Sequence, residues 1–254
     1  MRFQDKVAVI TGAADGIGRA TSRILAGEGA HLVAVDINPA ALAALAEEIE
    51  TGGGSVTTME VNVLDSQQAE GMVDSVVSSL GRIDILVNAV GGSTIIPNSR
   101  AAVDDLTLED WDNIIEFNLR GTFLCTNAVI KRMKQQGIGK IINLSSVAGH
   151  GSSDTSSAYA TAKAGIMAFT KKVAVEAGPY GVTCNAIAPG MTLSDRILRG
   201  WEQRSEEEKR RSIEAIPLGR PAEPEDQAKV IAFLASSDAD YVTGVTIDVN
   251  GGQY

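Results

Sequence analysis

The sequence predicts a single α/β domain in which a parallel sheet lies between two layers of helices. Three observations support this fold class: strand-like and helical patterns alternate along the chain, most strand-like runs are almost continuously apolar, and a glycine-rich turn follows the first of them. Alternation of this kind is typical of βαβ units, and continuous apolar runs are typical of strands buried on both faces. The 254 residues show no break in composition, so we predict one domain over residues 1–254.

Seven runs rich in β-forming residues are the candidate strands, and helical patterns lie between them. The strands are predicted at 6–10, 31–36, 55–61, 83–88, 140–145, 182–188 and 245–249. The helices are predicted at about 17–28, 39–50, 66–80, 107–136, 157–177 and 223–236. Pro39 in its first turn and three glycines at 52–54 mark the two ends of the second helix. Residues 190–222 interrupt the alternation with charged residues and two prolines, so we expect an inserted helical lid there.

Composition and charge argue against several classes of function. The formal net charge of −10 disfavours nucleic acid and anionic membranes as partners, because phosphate groups repel such a surface. No apolar run reaches the roughly 18–20 residues of a membrane span, and the N-terminal residues lack a signal-peptide pattern, so we expect a cytoplasmic protein. Cys125 and Cys184 lie in apolar stretches and are expected to be buried free thiols. With only two histidines, we expect no metal site.

The stretch VAVITGAADGIG, residues 7–18, predicts a turn that binds a dinucleotide. It leads from the first strand into the first helix, where unpaired backbone N–H groups and the positive end of the helix dipole favour a pyrophosphate. Gly12 permits the tight turn, Gly16 the close approach of the ligand, and Gly18 the packing of helix against strand. Ile17 lies in the same turn as a further candidate contact. A purely structural turn is the alternative interpretation.

Asp36, at the end of the second strand, predicts NAD rather than NADP as the cofactor. A carboxylate at this position accepts hydrogen bonds from the adenosine ribose hydroxyls and repels a 2′-phosphate. Asp15, inside the turn, adds to that repulsion, and the residue after Asp36 is Ile37 rather than Arg or Lys. The alternative, that Asp36 is a helix cap, is less favoured because Asn38 and Pro39 already serve the start of the next helix.

With these motifs the chain resembles the short-chain dehydrogenase/reductase family over essentially its whole length. The turn TGAADGIG, the segment SSAYATAK with its Y-x-x-x-K signature, and APG at 188–190 carry the resemblance. It implies a single-domain Rossmann fold with a seven-stranded parallel sheet and helices on both faces. Within the family, the chain looks most like the branch of 3-oxoacyl-carrier-protein reductases and secondary-alcohol dehydrogenases.

Tyr159 and Lys163 are the predicted acid/base pair. Their spacing on a predicted helix places them on one face, although on its own such a pair is more often an ordinary surface pair. A phenol with a pKa of about 10 is a poor base at neutral pH, and a nearby ammonium is expected to lower that pKa. The resemblance implies that Lys163 also holds the nicotinamide ribose and that Ser146 donates a hydrogen bond to the substrate oxygen, with Ser145 as the weaker candidate. Asn118 is expected to hold a water that links Lys163 to solvent.

The resemblance also implies further cofactor contacts after three of the strands. By position these are Asn62 and Val63, then Asn88, Ala89 and Gly91, and finally Pro189, Gly190, Thr192 and Ser194. Two of these places depart from the family pattern, which usually has Asp where Asn62 stands and N-N-A-G where this chain has NAVG. For the contact near the carboxamide or pyrophosphate, Ser194 is favoured and Thr192 is the competing choice.

The predicted activity is NAD(H)-dependent transfer of a hydride between nicotinamide and a small secondary alcohol or ketone, such as a hydroxy acid or a sugar. Arg196 or Arg199 is a candidate to bind a carboxylate or phosphate of the substrate. Candidate residues for an apolar wall of the substrate pocket are Ile95, Ile96, Met191, Leu193, Ile197, Leu198 and Trp201. An amphipathic surface helix is the alternative interpretation of the residues in segment 190–222.

Two alternatives remain open beside that activity. The first is an NADPH-dependent 3-oxoacyl-carrier-protein reductase, and the second is a catalytically silent dinucleotide-binding protein. The resemblance further implies a homotetramer, paired through the helices at 107–136 and 157–177 and through the C-terminal pattern VTGVTIDVNGGQY at 242–254.

Overall fold

Seven parallel strands form the centre of the computed structural model, which describes residues 1–151 and 154–253. The strands are β1 Val7–Thr11, β2 His31–Asp36, β3 Ser55–Glu60, β4 Ile85–Asn88, β5 Gly139–Leu144, β6 Val182–Pro189 and β7 Thr246–Val249. Their order across the sheet is β3-β2-β1-β4-β5-β6-β7. The chain therefore reverses its direction of travel between β1 and β4, which is where ligands bind in open sheets of this type.

Helices cover both faces of this sheet. Within the described residues they are α1 Gly16–Gly27, α2 Pro39–Thr51, α3 Ser66–Leu80, α4 Leu108–Ile115, α5 Gly121–Gln136, α6 Ser157–Ala177, α7 Asp195–Glu202, α8 Glu206–Glu214 and α9 Pro224–Ala235. Side chains alternate along β1, so that Ile10 packs with α1, α2 and α9 whereas Val9 packs with α3, α5 and α6. The predicted single-domain Rossmann fold is confirmed.

The predicted helix at 107–136 is interrupted where a π-helical turn, Glu116–Arg120, separates α4 from α5. Asn118 lies in this turn and donates a side-chain hydrogen bond to the Ile114 carbonyl at 3.0 Å. Thr122 in turn donates to the Asn118 carbonyl at 3.2 Å. Side-chain bonds of this kind satisfy backbone groups that a π-turn frees, and such turns are frequent at functional sites.

The segment 190–222 is closed at its base by backbone pairing. Thr192 and Ala222 form an isolated parallel β-bridge, and the Ala222 N–H donates to the Met191 carbonyl at 2.9 Å. Between these ends the segment carries α7 and α8, as the sequence predicts. The C-terminal pattern at 242–254 extends to Tyr254, which lies outside the described residues. In the described part of the chain, no helix is both long enough and apolar enough to cross a membrane.

Candidate active site

The carboxyl ends of the strands open into a cleft of about 850 Å³. Because parallel strands all point the same way, the loops that follow them meet at this edge of the sheet. The predicted site residues that line the cleft are Gly12, Asp15, Gly16, Ile17, Gly18, Asp36, Asn62, Val63, Ala89, Gly91, Ser146, Tyr159, Lys163, Pro189, Gly190, Thr192 and Ser194. The structure therefore brings together the residues of both halves of the sequence, with the exceptions of Asn88 and Asn118.

The glycine turn between β1 and α1 leaves no room for side chains. Gly12 has a φ of +63°, which disfavours residues with a Cβ. A Cβ on Gly18 would lie 2.0 Å from the Gly12 carbonyl oxygen, so the turn closes only with glycine there. A Cβ on Gly16 would lie 3.1 Å from Cβ of Ser194, which places the start of α1 against the base of segment 190–222. The bare backbone and the helix N-terminus fit a pyrophosphate.

The Asp36 carboxylate is fixed by the backbone on either side of it. Its Oδ2 accepts a hydrogen bond from the Ala14 N–H at 3.3 Å, and its Oδ1 accepts one from the Asn38 N–H at 3.1 Å. The side chain that caps α2 belongs to Asn38, whose Oδ1 accepts from the Ala41 N–H at 3.1 Å. Asp36 therefore does not cap α2. It faces the cleft, and its carboxylate oxygens can accept further hydrogen bonds. Asp15 caps α1 by accepting from the Gly16 N–H at 2.7 Å.

None of the cations that line the described part of the cleft belongs to β1, β2 or the loops that follow these strands. Among the described lining residues they are Arg100, Lys163, Arg196 and Arg204, which belong to α6, to the loop after β4 and to segment 190–222. The two arginines of α1, Arg19 and Arg23, both pair with Glu48 of α2.

Tyr159 and Lys163 lie in the first two turns of α6 and face the end of β5. The Ser146 hydroxyl interacts with Tyr159 and lowers its pKa, and Lys163 Nζ lies 5.6 Å from the centre of the Tyr159 ring. Lys163 Nζ also donates to the Leu144 carbonyl at 2.9 Å. Ser145 points elsewhere, since its hydroxyl donates to the Lys163 backbone carbonyl at 2.8 Å in the core. The structure therefore favours Ser146 over Ser145 as the serine beside Tyr159.

Burial shifts the pKa values of both partners in this pair. Burial, and secondly the charge of Arg196, lower the pKa of Lys163 to about 7. Burial raises the pKa of Tyr159 above its ordinary value, against the opposing effects of the Ser146 hydrogen bond and the Arg196 charge. The expectation that Lys163 lowers the Tyr159 pKa is therefore not met in the protein alone. The reason is that a lysine driven towards neutrality by burial supplies less positive charge to its neighbour.

Asn118 lies behind the cleft and fixes the loop after β4. Its Oδ1 accepts from the Gly92 N–H at 2.9 Å and its Nδ2 donates to the Gly92 carbonyl at 3.0 Å. A Cβ on Gly91 would lie 2.9 Å from both Asn118 Oδ1 and Lys163 Nζ, so the two side chains are close neighbours. The water that Asn118 is expected to hold for Lys163 remains a prediction.

The Asn88 side chain does not reach the cleft, so a contact of this residue with the cofactor through its backbone stays a prediction. Its Nδ2 donates to Asn143 Oδ1 at 2.8 Å and to Thr126 Oγ1 at 3.0 Å, inside the core between β4, β5 and α5. At the end of β4 the alternation of side chains directs this residue towards the helix layer. The neighbouring Ala89 lines the cleft, and its backbone N–H donates a hydrogen bond to Thr11 Oγ1 at 3.2 Å.

Comparisons with known proteins agree with this geometry. The family model described as enoyl-(acyl carrier protein) reductase matches residues 12–253. The 3-oxoacyl-(acyl-carrier-protein) reductase FabG of Thermotoga maritima is 40% identical over 252 residues, which are 99% of each chain. Levodione reductase of Leifsonia aquatica is 37% identical over 258 residues, covering 99% of this chain and 95% of that one. The chain belongs to the short-chain dehydrogenase/reductase family.

A solved structure of another protein supports the same assignment. NAD⁺-bound xylitol dehydrogenase superposes with a TM-score of 0.91 at 30% identity, covering 99% of this chain and 100% of that one. As a member of the short-chain dehydrogenase/reductase family, the protein is an oxidoreductase that acts on CH–OH or keto groups and binds a nicotinamide dinucleotide. The described residues contain no cluster of His, Cys, Asp or Glu suited to a metal ion.

The substrate end of the dehydrogenase cleft differs from the predicted apolar wall. Of the candidate wall residues, only Met191 and Ile197 line the cleft, and Ile96 is buried against Ile114 and Ala158 instead. Of the two candidate arginines, Arg196 lines the cleft and Arg199 does not. The cleft is also lined by several polar residues, Ser93, Thr94, Ser99, Arg100, Asp154, Thr155, Arg204 and Gln253, together with the apolar Phe117, Leu144 and Val147.

Gln227 is a residue of this site that sequence patterns did not identify. It is fully buried in α9, and its Nε2 donates to the Val249 carbonyl at 2.8 Å and to Thr192 Oγ1 at 3.2 Å. It thus fixes the base of segment 190–222 to the end of β7. A single glutamine in an amphipathic helix gives no sequence signal for such a role.

Proposed function

We propose that this protein is an NAD(H)-dependent oxidoreductase that transfers a hydride between nicotinamide and a small secondary alcohol or ketone. The observation that carries the proposal is Tyr159, which interacts with Ser146 and lies beside Lys163 in the same cleft as the glycine turn. This arrangement supports an acid/base role for Tyr159 next to the turn that fits a pyrophosphate.

In alcohol oxidation, Tyr159 takes the proton of the substrate hydroxyl, and in ketone reduction it returns a proton to the carbonyl oxygen. Ser146 hydrogen-bonds the same substrate oxygen and holds it towards Tyr159. Lys163, already bonded to the Leu144 carbonyl, has remaining donor capacity for the ribose hydroxyls of the cofactor. When bound, the nicotinamide supplies the hydride acceptor or donor, and its oxidised ring carries a positive charge. Burial raises the Tyr159 pKa and Arg196 lowers it, and a positive charge next to Tyr159 would lower it further.

The environment of Asp36 supports NAD rather than NADP as the cofactor. A 2′-phosphate next to this carboxylate would meet a negative charge, and none of the cations that line the described part of the cleft belongs to β1, β2 or the loops that follow these strands. The two arginines of α1 are already paired with Glu48.

The polar residues in the cleft lining support a small alcohol, hydroxy acid or sugar. A long acyl chain requires an apolar channel, and the aliphatic side chains available from segment 190–222 are Met191 and Ile197. The alternative, an NADPH-dependent 3-oxoacyl-carrier-protein reductase, is favoured by the 40% identity to FabG. A catalytically silent dinucleotide-binding protein is less favoured, because Ser146, Tyr159 and Lys163 are all present.

The remaining proposals concern segment 190–222, assembly and location. We propose that this segment closes over the substrate as a lid, since Met191, Arg196 and Arg204 from it line the cleft. We also propose a homotetramer in the cytoplasm. The outer faces of α4, α5 and α6 expose Leu108, Phe123 and Val175, apolar side chains that pairing of these helices would cover.

The test is a kinetic comparison of the purified protein with NAD and with NADP over a panel of small secondary alcohols, hydroxy acids and sugars. We expect NADH formation with at least one compound and a higher kcat/KM with NAD. Asp36→Ala should reduce the preference for NAD about 10- to 100-fold, because one charged hydrogen-bonding group is lost. Asp74→Ala, an exposed carboxylate on α3, is the matched control. A wild-type preference for NADPH together with activity on acyl-carrier thioesters would favour the alternative.

A further inference from the structure

The guanidinium of Arg196 lies at the reactive end of the cleft. Arg196 is in the first turn of α7, and its Nη2 donates to the Gly91 carbonyl at 3.2 Å. A Cβ on Gly92 would lie only 2.6 Å from the same Nη2, so the guanidinium rests on the loop after β4. A Cβ on Gly91 would lie 2.9 Å from Lys163 Nζ, which places this loop directly against the catalytic lysine.

Arg196 differs from the other arginines of the cleft in its partners. Arg100 pairs with Asp154 at 3.2 Å. Arg204 stacks over the Trp201 ring and donates to Ser212 at 3.1 Å. Arg196 forms no ion pair with any residue in the described ranges 1–151 and 154–253. A guanidinium has five N–H donors in a planar fork, and the Gly91 bond accounts for one of them.

The charge at this end of the cleft is opposite to that of the chain as a whole. The formal net charge is −10, yet the carboxylates that line the cleft are Asp15 and Asp36 at the glycine turn and Asp154, which Arg100 neutralises. The positive charge of Arg196 acts on its neighbours, since it lowers the pKa of both Tyr159 and Lys163. Arg196 is exposed to the solvent of the cleft, so its guanidinium is accessible to a ligand.

We propose that Arg196 binds a carboxylate of the substrate, so that the substrate class is a short hydroxy acid and the corresponding oxo acid. This inference rests on the proposed function and narrows it. Two parallel N–H groups of a guanidinium match the two oxygens of a carboxylate, a geometry that lysine does not reproduce. The carboxylate would be bound at Arg196 while the hydroxyl of the same molecule lies between Ser146 and Tyr159.

The first experiment measures kcat/KM for matched pairs in which only the charge differs: lactate against lactamide, and 3-hydroxybutyrate against 3-hydroxybutyramide, with NAD saturating. For at least one pair we expect kcat/KM for the acid to exceed that for the amide roughly 10- to 100-fold. This is the usual contribution of a hydrogen bond between charged groups. Arg196→Met should abolish this preference through a higher KM for the acid, and Arg196→Lys should restore part of it. Arg199→Gln, on the same helix but outside the cleft, should leave the preference intact.

The second experiment does not depend on turnover. Calorimetric titration of the NADH-loaded enzyme with butyrate and with butyramide, which have no hydroxyl to oxidise, should show tighter binding of butyrate. Arg196→Met should equalise the two affinities, whereas Arg199→Gln should not. Equal binding of butyrate and butyramide by the wild type would overturn the proposal, as would a preference for acids that survives in Arg196→Met. A higher KM for NAD in Arg196→Met, with the substrate KM unchanged, would assign the arginine to the cofactor and also overturn it.

Failure of this proposal is distinguishable from failure of the proposed function. If Tyr159→Phe turned over a substrate as fast as the wild type, the proposed mechanism would be wrong, while the butyrate titration still tests Arg196. If the wild type oxidised neutral alcohols and bound butyrate no better than butyramide, the proposed function would stand and the carboxylate proposal would fall.

Discussion

In the β1–β3 half of the cleft, the polar binding surface is the bare backbone of the glycine turn and two carboxylates, Asp15 and Asp36, that accept hydrogen bonds from backbone N–H groups. In the β4–β6 half it is formed by side chains, several of them buried, whose pKa values burial shifts. Binding in the first half depends mainly on the fold, because the backbone determines where its glycines and the Asp36 carboxylate lie. The second half depends on how deeply Tyr159 and Lys163 are buried and on which charges surround them. Binding and chemistry should therefore respond differently to substitution in the two halves.

Of the substitutions that distinguish the two halves of the cleft, Tyr159→Phe is expected to have the largest effect. Loss of the phenolic proton should lower kcat on the order of 10²- to 10⁴-fold, the usual contribution of a general acid/base. The affinity for NADH, measured by fluorescence titration, should change by less than about threefold, because the glycine turn and Asp36 are intact. A variant that kept wild-type kcat would remove Tyr159 from the mechanism.

Gly18→Ala should have the opposite effect, because it should weaken cofactor binding more than it slows the chemical step. Its Cβ would lie 2.0 Å from the Gly12 carbonyl oxygen, so the turn must open and the affinity for NADH should fall roughly 100-fold. Gly27→Ala in the same helix is the control, since a Cβ there meets nothing within 4 Å. That control should bind NADH normally and gain up to about 1 kcal/mol of stability. Unchanged NADH binding by Gly18→Ala would contradict the role given to the turn.

Lys163→Met should stabilise the protein without added dinucleotide, and the gain should depend on pH. The pKa of Lys163 is about 7 in the folded protein against 10.5 for an unperturbed lysine, so between these values the unfolded chain binds more protons. Wild-type stability therefore rises with pH across this window and is lowest below it. Urea unfolding should show the advantage of Lys163→Met shrinking by about 2 kcal/mol between pH 7 and pH 9.

The control for this measurement is Lys171→Met, an exposed lysine on the same helix. It should give a difference from the wild type that does not vary with pH. An advantage of Lys163→Met that stayed constant from pH 7 to pH 9 would mean that the buried lysine keeps its proton.

The smallest effect is expected for Asn88→Ala, at the boundary between the two halves. The change removes hydrogen bonds to Asn143 and Thr126 and should cost about 1–2 kcal/mol of unfolding free energy. Because the side chain does not line the cleft, the KM for NAD should stay within about twofold of the wild type. Asn113→Ala, an exposed amide on α4, should be nearly neutral by both measures. A large rise in the KM for NAD would contradict this expectation and would show that the Asn88 side chain affects cofactor binding.

How much the sequence predicts also differs between the halves. The glycine turn and Asp36 follow from local pattern, because spacing along one strand–turn–helix unit determines their geometry. The pairing of Ser146 rather than Ser145 with Tyr159 follows from the resemblance and is supported by the side-chain contacts. Local pattern did not predict the π-helical turn around Asn118, nor the core position of Asn88. The raised pKa of Tyr159 was also missed, since it arises from burial by segments distant in sequence. The choice between Arg196 and Arg199 likewise required the orientation of α7.

A titration of Tyr159 itself would show whether this phenol exchanges the substrate proton. With ¹³C-labelled tyrosine, the resonance that Tyr159→Phe removes reports the pKa of this hydroxyl, with and without NAD. We expect a Tyr159 pKa above the ordinary value in the protein alone and a lower one with NAD bound. We also expect the lower value to coincide with the pH at which kcat/KM for alcohol oxidation rises. A Tyr159 pKa that NAD leaves unchanged, or that does not coincide with the rise in kcat/KM, would contradict the claim that this phenol exchanges the substrate proton.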